Sequence, residues 1–162
     1  WKDRPGGVSA ITTVDQRWGR CDIKTTMLLP NSLAKQAAAD RGAFEAILIS
    51  GDGIVREGSS TNVFAVVNGV LRTHPADHHI LAGITRSAVL DIARQQGLAV
   101  QEAPVTSTEL STAQEVFLTG TTTDVCPVVR VDDAPIAGGA AGPVTAKLMR
   151  LFEKTLRDET GG

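Results

Sequence analysis

Aromatic side chains are scarce in this sequence. They make up 4% of the 162 residues, and tyrosine is absent. Proteins that bind single-stranded nucleic acid stack bases on aromatic rings, so no such platform is expected here. Acidic and basic residues nearly balance, with a net charge of −2, and no stretch is strongly basic. Binding to nucleic acid or to an anionic membrane surface relies on clustered lysine and arginine, so we expect neither partner.

Long hydrophobic runs are missing as well. The longest, such as residues 46–49 and 63–67, fall far short of the ~20 apolar residues that a membrane helix needs. Cys21 and Cys126 lie far apart and match no metal-binding spacing. A disulfide between them is possible, but reduced thiols in a cytoplasmic protein are the simpler interpretation. The first residues lack a methionine and the apolar segment of a signal peptide, so we expect the chain to be part of a longer polypeptide.

Several common site motifs are also absent. Gly51 and Gly53 are not followed by the third glycine of a Gly-x-Gly-x-x-Gly fingerprint, and there is no Gly-x-Ser-x-Gly elbow. The three histidines, His74, His78 and His79, do not form a His-x-x-x-His frame on a helix and lack an accompanying cluster of cysteines or carboxylates. We therefore predict that the chain holds no metal.

Helical and strand-like segments alternate along the chain. Asn68-Gly69 is a typical two-residue hairpin turn, and we predict that the strands before and after it form a β-meander. Asn31 is a plausible helix cap and Gly42 a natural stop. Strands are predicted at 8–14, 44–49, 54–58, 62–67, 70–73, 100–105, 115–118 and 125–131, and helices at 32–41, 84–96, 107–113 and 143–157. This pattern favours an α/β (α+β) domain with a mixed sheet and flanking helices.

Lys24 lies between a short β-like run and an apolar segment that leads into a helix. A lysine in that position is expected to be partly buried. Burial favours the neutral amine, which can attack a carbonyl carbon. The alternative is an ordinary surface lysine at the end of a strand, and Lys24 alone does not decide between them.

Two further segments resemble anion sites. Gly83-Ile84-Thr85 begins a helix, where unpaired backbone N–H groups and the helix dipole favour a phosphate. Residues 119–123, Thr-Gly-Thr-Thr-Thr, form a hydroxyl-rich turn at the end of an apolar strand, a common place for ligands in α/β sheets. Each segment has a plain alternative, a capped helix start and a simple β-turn respectively.

Glu57 is the third candidate. It follows a predicted hairpin and precedes a run of small residues, so its carboxylate could face inwards towards a bound heterocycle. A carboxylate beside a ring nitrogen keeps that nitrogen protonated through the effect of opposite charge on its pKa. The alternative is an exposed glutamate at a strand end.

Four motifs occur in a recognisable order. They are Arg-Cys-Asp-Ile before Lys24, Glu-Gly-Ser-Ser-Thr-Asn-Val-Phe from Glu57, Leu-Ala-Gly-Ile-Thr-Arg from Leu81, and Thr-Gly-Thr-Thr-Thr from Thr119. Together they resemble the large cofactor-binding domain of the class IV (fold type IV) pyridoxal-phosphate aminotransferases, most closely the D-amino-acid (D-alanine) group. The resemblance extends from about residue 15 to residue 152.

The resemblance implies a role for each matching residue. Lys24 matches the lysine that binds the cofactor's aldehyde carbon and then moves the substrate's Cα proton, and Glu57 matches the carboxylate on the pyridine nitrogen. Leu81 resembles the residue packed on the ring. The remaining matches are Ile84, Thr85 and Thr121 at the phosphate, Thr122 near the substrate, and Arg17 with Glu45 as a supporting pair near the lysine. Gly120 stands where some relatives have serine, which implies one phosphate hydrogen bond fewer.

The implied function is transamination between a D-amino acid, such as D-alanine, and a 2-oxo acid with pyridoxal 5′-phosphate. Family members carry a smaller N-terminal domain before this region, and we expect that domain to be missing here. Residues 1–14 are then a linker and first strand from the missing domain, and residues 15–162 are the cofactor-binding domain. We expect such a fragment to have little activity. The full-length protein would be a homodimer. A branched-chain aminotransferase, an aminodeoxychorismate lyase and a non-catalytic module that binds a phosphate ligand remain alternatives.

Overall fold

The computed structural model describes residues 6–160, with side chains to residue 158. Within these residues, one mixed sheet of ten strands is flanked by four α-helices. The strands are β1 (Val8–Val14), β2 (Glu45–Ile49), β3 (Ile54–Gly58), β4 (Asn62–Val67), β5 (Val70–Thr73), β6 (Val100–Glu102), β7 (Val105–Thr106), β8 (Glu115–Gly120), β9 (Asp124–Val131) and β10 (Ala134–Pro135). The helices are α1 (Leu29–Asp40), α2 (Ile84–Gln95), α3 (Ser107–Ser111) and α4 (Pro143–Thr160), and Ala137–Gly139 forms a 3₁₀ turn.

The sheet is rolled up on itself. Its strand order is β6-β5-β4-β8-β9-β1-β2-β3-β7, with β10 added beside β9. β3 and β4 are far apart in this order, yet only residues 59–61 connect them. Likewise, β6 and β7 are the first and last strands of the order, yet only two residues connect them. Such short connections are possible only if the two ends of the sheet lie near each other.

Side chains on the two faces of the sheet enter different cores. On β4, Val63 and Ala65 lie in one cluster with Leu118 and Val128. The alternate residues Phe64 and Val66 lie in a second cluster with side chains of α2 and α4, as the two-residue repeat of a strand requires. The Phe64 and Phe117 rings stack in this second cluster, with centroids 4.8 Å apart. The helices therefore cover the outer face of β4 and β8.

The predicted mixed sheet with flanking helices is confirmed, as is the hairpin at Asn68-Gly69, where both residues have positive φ (51° and 77°). The predicted meander is wrong, because β3 pairs with β2 and β7 rather than with β4. The strand predicted at 100–105 is divided into β6 and β7 before and after Pro104, which has no N–H to donate to a neighbouring strand.

The predicted cap of the first helix is also wrong. Helix α1 begins at Leu29, Leu28 is its N-cap, and Pro30 lies in its first turn, where proline is favoured. The side chain of Asn31 instead donates to the carbonyl oxygen of Ser59 at 2.8 Å. The amide thus fixes α1 to the connection between β3 and β4.

Strand β1 lies in the middle of the sheet, parallel to both β2 and β9, and Val8 and Ala10 are buried in its core. Residues 1–14 were predicted to be a linker and first strand, and their strand β1 therefore belongs to the same structural unit as the rest of the sheet. Residues 1–5 of that segment lie outside the described residues. Among residues 6–160, no helix is both long enough and apolar enough to cross a membrane.

Candidate active site

One cavity of about 510 Å³ brings together most of the predicted site residues. This volume is in the usual range for a small-molecule site. Its walls come from four parts of the chain: the segment 16–31, the end of β3 with the turn after it, the start of α2, and the end of β8. Of the predicted site residues it is lined by Arg17, Lys24, Glu57, Leu81, Ile84, Thr85 and Thr121.

Glu57 is a buried acidic residue of this cavity, with 6% of its surface exposed. Its carboxylate accepts hydrogen bonds from the guanidinium of Arg17, from Nδ2 of Asn62 at 2.9 Å, and from the backbone N–H of Leu81 at 3.1 and 3.2 Å to the two oxygens. A carboxylate has about four acceptor positions. These three donors make four contacts with the carboxylate, because the N–H of Leu81 lies within hydrogen-bond distance of both oxygens.

Charge and burial act in opposite directions on the Glu57–Arg17 pair. Burial raises the pKa of Glu57 to about 7, although the charge and hydrogen bond of Arg17 oppose this rise. Burial by itself lowers the pKa of Arg17, but its contacts with Asp15 and Glu57 raise it above the usual value overall. Arg17 is thus a permanent cation beside a carboxylate that takes up a proton near neutral pH.

The raised pKa predicts how stability depends on pH. Because the pKa of Glu57 is higher in the folded chain than its ordinary value of 4.5, its contribution is fully present below about pH 4.5 and is lost as pH rises through about 7. Relative to a Glu57→Gln variant, the ligand-free chain should lose up to about 3 kcal/mol between pH 4.5 and 8. Urea unfolding of both proteins across this range measures the difference, and parallel pH profiles would contradict the assignment.

Lys24 lies in an irregular segment, residues 15–28, which we call the lysine loop. Two carbonyl oxygens of the loop 74–83 hold it in place: that of His78 accepts from the backbone N–H of Cys21 at 2.8 Å, and that of His79 accepts from Arg17 Nη2 at 3.1 Å. Lys24 itself is exposed, and its side chain forms no ion pair with the described residues. The expected burial of Lys24 is therefore wrong for this chain, because none of the described residues covers the cavity on that side.

The two predicted anion sites border the same cavity. Helix α2 begins after Gly83, and among the described residues no side chain caps its N-terminus and no acidic residue lies in its first turn. Its backbone N–H groups are therefore free to meet an anion. Thr85 is buried, Ile84 is 76% exposed and borders the cavity at the helix start, and Thr121 borders it in the turn after β8.

Gly83 allows α2 to start close to the carboxylate site. A Cβ atom at this position would lie 2.4 Å from Oδ1 of Asn62, which is too close for any real side chain. The same Asn62 donates to the carbonyl oxygen of Leu81 at 2.8 Å. Asn62 therefore connects Glu57 to the helix start.

One expectation about the site residues needs correction, and another stays a prediction. Thr122 is exposed and is not one of the residues that border the cavity, so its place near the substrate stays a prediction. Arg17 and Glu45 do not form a pair: Arg17 binds Asp15 and Glu57. Glu45 is fully buried, lies 3.6 Å from Lys35 Nζ, and accepts hydrogen bonds from the hydroxyls of Ser59, Ser60 and Thr61. Its carboxylate holds the turn between β3 and β4, which borders the cavity.

Sequence reasoning missed Asn62, Asp15 and the true contact of Asn31. Asn62 opens a strand whose other residues are all apolar and buried. A buried amide needs hydrogen-bond partners, so this position could have been recognised as structurally important. The partners themselves are distant in sequence and could not have been named.

The histidines were predicted to lack an accompanying cluster of carboxylates, and the loop that carries them differs from this prediction in one respect. The ligand atoms of Asp77, His78 and His79 lie within 4.8 Å of one another, so a carboxylate does accompany two of the histidines. His74 instead lies 2.6 Å from a guanidinium nitrogen of Arg56. The absence of a bound metal stays a prediction.

Sequences of known proteins match this chain along most of its length. The family model described as "Amino-transferase class IV" matches residues 2–131. The D-alanine aminotransferase of Bacillus licheniformis is 46% identical over 159 residues, which cover 98% of this chain and 56% of that protein. The D-alanine aminotransferase of Listeria innocua is 47% identical over 146 residues, covering 90% of this chain and 50% of that protein.

Solved structures share the fold. A putative branched-chain amino acid aminotransferase from Thermotoga maritima superposes with a TM-score of 0.83 and 35% identity, and the match covers 93% of this chain and 55% of that one. A branched-chain aminotransferase from Thermoproteus uzoniensis, with norvaline, superposes with a TM-score of 0.79 and 32% identity, over 93% of this chain and 52% of that one. The chain therefore spans about half the length of the relatives it matches.

Proposed function

Because the chain belongs to the class IV aminotransferase family, we propose that it carries the cofactor site of an enzyme that transfers an amino group from a D-amino acid to a 2-oxo acid. With D-alanine and 2-oxoglutarate, the products would be pyruvate and D-glutamate. The observation that carries the proposal is the single cavity in which Lys24, Glu57 and both threonine-bearing anion sites meet.

The residues present fit pyridoxal 5′-phosphate, the cofactor of this family. The ring nitrogen would lie against the carboxylate of Glu57, which borders the cavity, and the phosphate would lie between the uncapped start of α2 and Thr121. Leu81 borders the same space and offers an apolar side chain to the ring. When bound, the cofactor supplies an electron sink that stabilises negative charge at the substrate's Cα.

The protein groups have separate tasks. Lys24, which lines the cavity, would bind the aldehyde carbon and move the proton at the substrate's Cα as a general base. Glu57, held by Arg17 and Asn62, would keep the ring nitrogen protonated. Because its pKa is about 7 in the ligand-free chain, Glu57 can share one proton with that nitrogen near neutral pH.

Sequence similarity favours D-amino acids over branched-chain substrates. The D-alanine aminotransferases named above are 46 and 47% identical to this chain, whereas the two branched-chain enzymes are 35 and 32% identical. Transamination of branched-chain amino acids is therefore the second candidate. An aminodeoxychorismate lyase or a non-catalytic phosphate-binding module would use the same cavity, and the module would leave Lys24 without a covalent role.

The remaining half of a full-length protein would complete the site. We propose that it supplies an arginine to the phosphate and groups that recognise the substrate's carboxylate, and that it covers the open side at Lys24. Exposed apolar side chains border the cavity, namely Trp18, Ile23, Met27, Leu28 and Ile84. Such a patch is typical of an interface.

We further propose that the full-length protein is a homodimer in the cytoplasm. Cys21 and Cys126 form no disulfide within the described part of the chain, which agrees with that compartment.

A chimaera tests the proposed reaction directly. In it, this chain replaces the matching segment of the Bacillus licheniformis D-alanine aminotransferase. We expect the chimaera to form pyruvate from D-alanine and 2-oxoglutarate, faster than it forms the 2-oxo acid of L-leucine. A chimaera that folds and binds pyridoxal phosphate but prefers L-leucine would support the branched-chain alternative. One that binds the cofactor without transaminating either substrate would support the non-catalytic module.

A further inference from the structure

Thr119, near the end of β8, carries a buried hydroxyl without a hydrogen-bond partner among the described residues. The residue is completely buried and borders the cavity. Buried polar atoms nearly always have a partner, and leaving one unsatisfied costs free energy. The hydroxyl therefore indicates a partner that is bound only when the cavity is filled.

The strand pairing places Thr119 between the two ends of the proposed cofactor site. It lies directly opposite Asn62 in the antiparallel pair of β4 and β8, and residues opposite each other share a face of the sheet. Asn62 binds Glu57, the carboxylate end of the site. In the other direction, Gly120 and Thr121 follow at once and border the phosphate end.

The neighbouring packing explains why Thr119 borders the cavity. Phe117, two residues earlier on β8, lies on the same face and is buried in the cluster that includes side chains of α2 and α4. Thr119 lies beyond that cluster, where the cavity replaces the helices as its neighbour. A polar residue is thus placed at the boundary between the helix-covered core and the ligand space.

We propose that the Thr119 hydroxyl donates a hydrogen bond to pyridoxal phosphate bound in this cavity. The contact is separate from those of Glu57 and Thr121, and it rests on the proposed function. Thr119 would then be a cofactor-binding residue whose polar group is retained for the ligand, although it has no partner in the described part of the ligand-free fold.

The chain offers a matched control. Thr145 in α4 is also buried, with 1% of its surface exposed, and its hydroxyl has no partner among the described residues either. It is not one of the residues that border the cavity. Replacing either threonine with valine removes a hydroxyl and keeps the side chain's shape.

The test combines ligand-free stability with labelling of Lys24. Each protein is heated without ligand to obtain its Tm. It is then incubated with increasing pyridoxal phosphate, reduced with borohydride, and digested to measure labelled Lys24. We expect Thr119→Val and Thr145→Val to unfold at or above the Tm of the unmodified protein, because valine leaves no unsatisfied group. Only Thr119→Val should need about five- to tenfold more pyridoxal phosphate for half-maximal labelling, and Thr119→Ser should restore most of the affinity.

The outcomes separate this inference from the proposed function. Unchanged half-maximal labelling in Thr119→Val would overturn the inference alone, as would a lowered Tm of that variant without ligand, which would indicate a structural partner. An equal loss in Thr145→Val would also overturn it. If the unmodified protein showed no saturable labelling at Lys24, both the inference and the proposed cofactor site would fail.

Discussion

Replacing Lys24 with arginine is expected to abolish the saturable covalent attachment of pyridoxal phosphate to this chain. Arginine keeps the positive charge, but its guanidinium does not form the bond to the aldehyde carbon that an amine forms. After incubation with pyridoxal phosphate and reduction with borohydride, mass spectrometry should find the label at residue 24 in the unmodified chain and not in the variant. In the active chimaera, Lys24→Arg should lower the rate of pyruvate formation from D-alanine by at least about 10³-fold, because the general base is lost as well.

Lys154→Arg is the matched control, since it replaces an exposed lysine on α4 that does not border the cavity. This variant should be labelled at Lys24 as fully as the unmodified protein, and its turnover in the chimaera should not change. Saturable labelling at a lysine other than Lys24 would remove Lys24 from the proposed chemistry. An unchanged reaction rate in Lys24→Arg would show that Lys24 is not the general base.

Local features of the fold were predictable because each is decided by a few neighbouring residues. The Asn68-Gly69 turn needs positive φ at both positions, and both have it. Thr106 and Glu109, which are close in sequence, form a reciprocal capping box at the start of the short helix α3. The order of strands in the sheet was not predictable in this way, because β3 and β4 are neighbours in sequence yet find their partners elsewhere.

The candidate site also has features that were predictable from the sequence and features that were not. Resemblance to a family predicted which residues meet, since Lys24, Glu57 and Thr85 do line one cavity. It failed for the ion pairs, because Arg17 could bind either Glu45 or Glu57 and only the path of the lysine loop decides between them. It also failed for the burial of Lys24, which depends on what covers the cavity mouth rather than on the residues near position 24. Thr119 was part of the predicted hydroxyl-rich turn, but the sequence could not single it out, because an unsatisfied hydroxyl is visible only in three dimensions.

Replacing Arg17 with methionine should have the largest effect on stability. Its side chain is only 6% exposed and is shared between two carboxylates, Asp15 and Glu57, which are 14% and 7% exposed. Methionine preserves much of the volume but leaves both carboxylates without their cation. Removing one partner of a buried ion pair costs about 3–5 kcal/mol, so we expect a loss near the lower value at pH 8, measured by urea unfolding.

The loss should become smaller as pH falls. Without Arg17, burial is no longer opposed, and the pKa of Glu57 rises above its present value of about 7. The pKa of Asp15 is held below its usual value even though burial alone would raise it, because Arg17 binds its carboxylate, and it should rise too. Both acids then take up protons at higher pH in the variant than in the unmodified chain, so the variant regains stability relative to it between pH 8 and 5.

Arg20→Met provides the control on the same loop. Arg20 binds Asp22 in an exposed pair, with side chains 56% and 36% exposed, and such pairs contribute little. We therefore expect Arg20→Met to leave both stability and Lys24 labelling nearly unchanged, whereas Arg17→Met weakens labelling because the lysine loop loses its contact with the His79 carbonyl. Equal effects of the two substitutions, or a loss in Arg17→Met that does not depend on pH, would mean that Arg17 acts through packing and not as the cation that opposes protonation of Glu57.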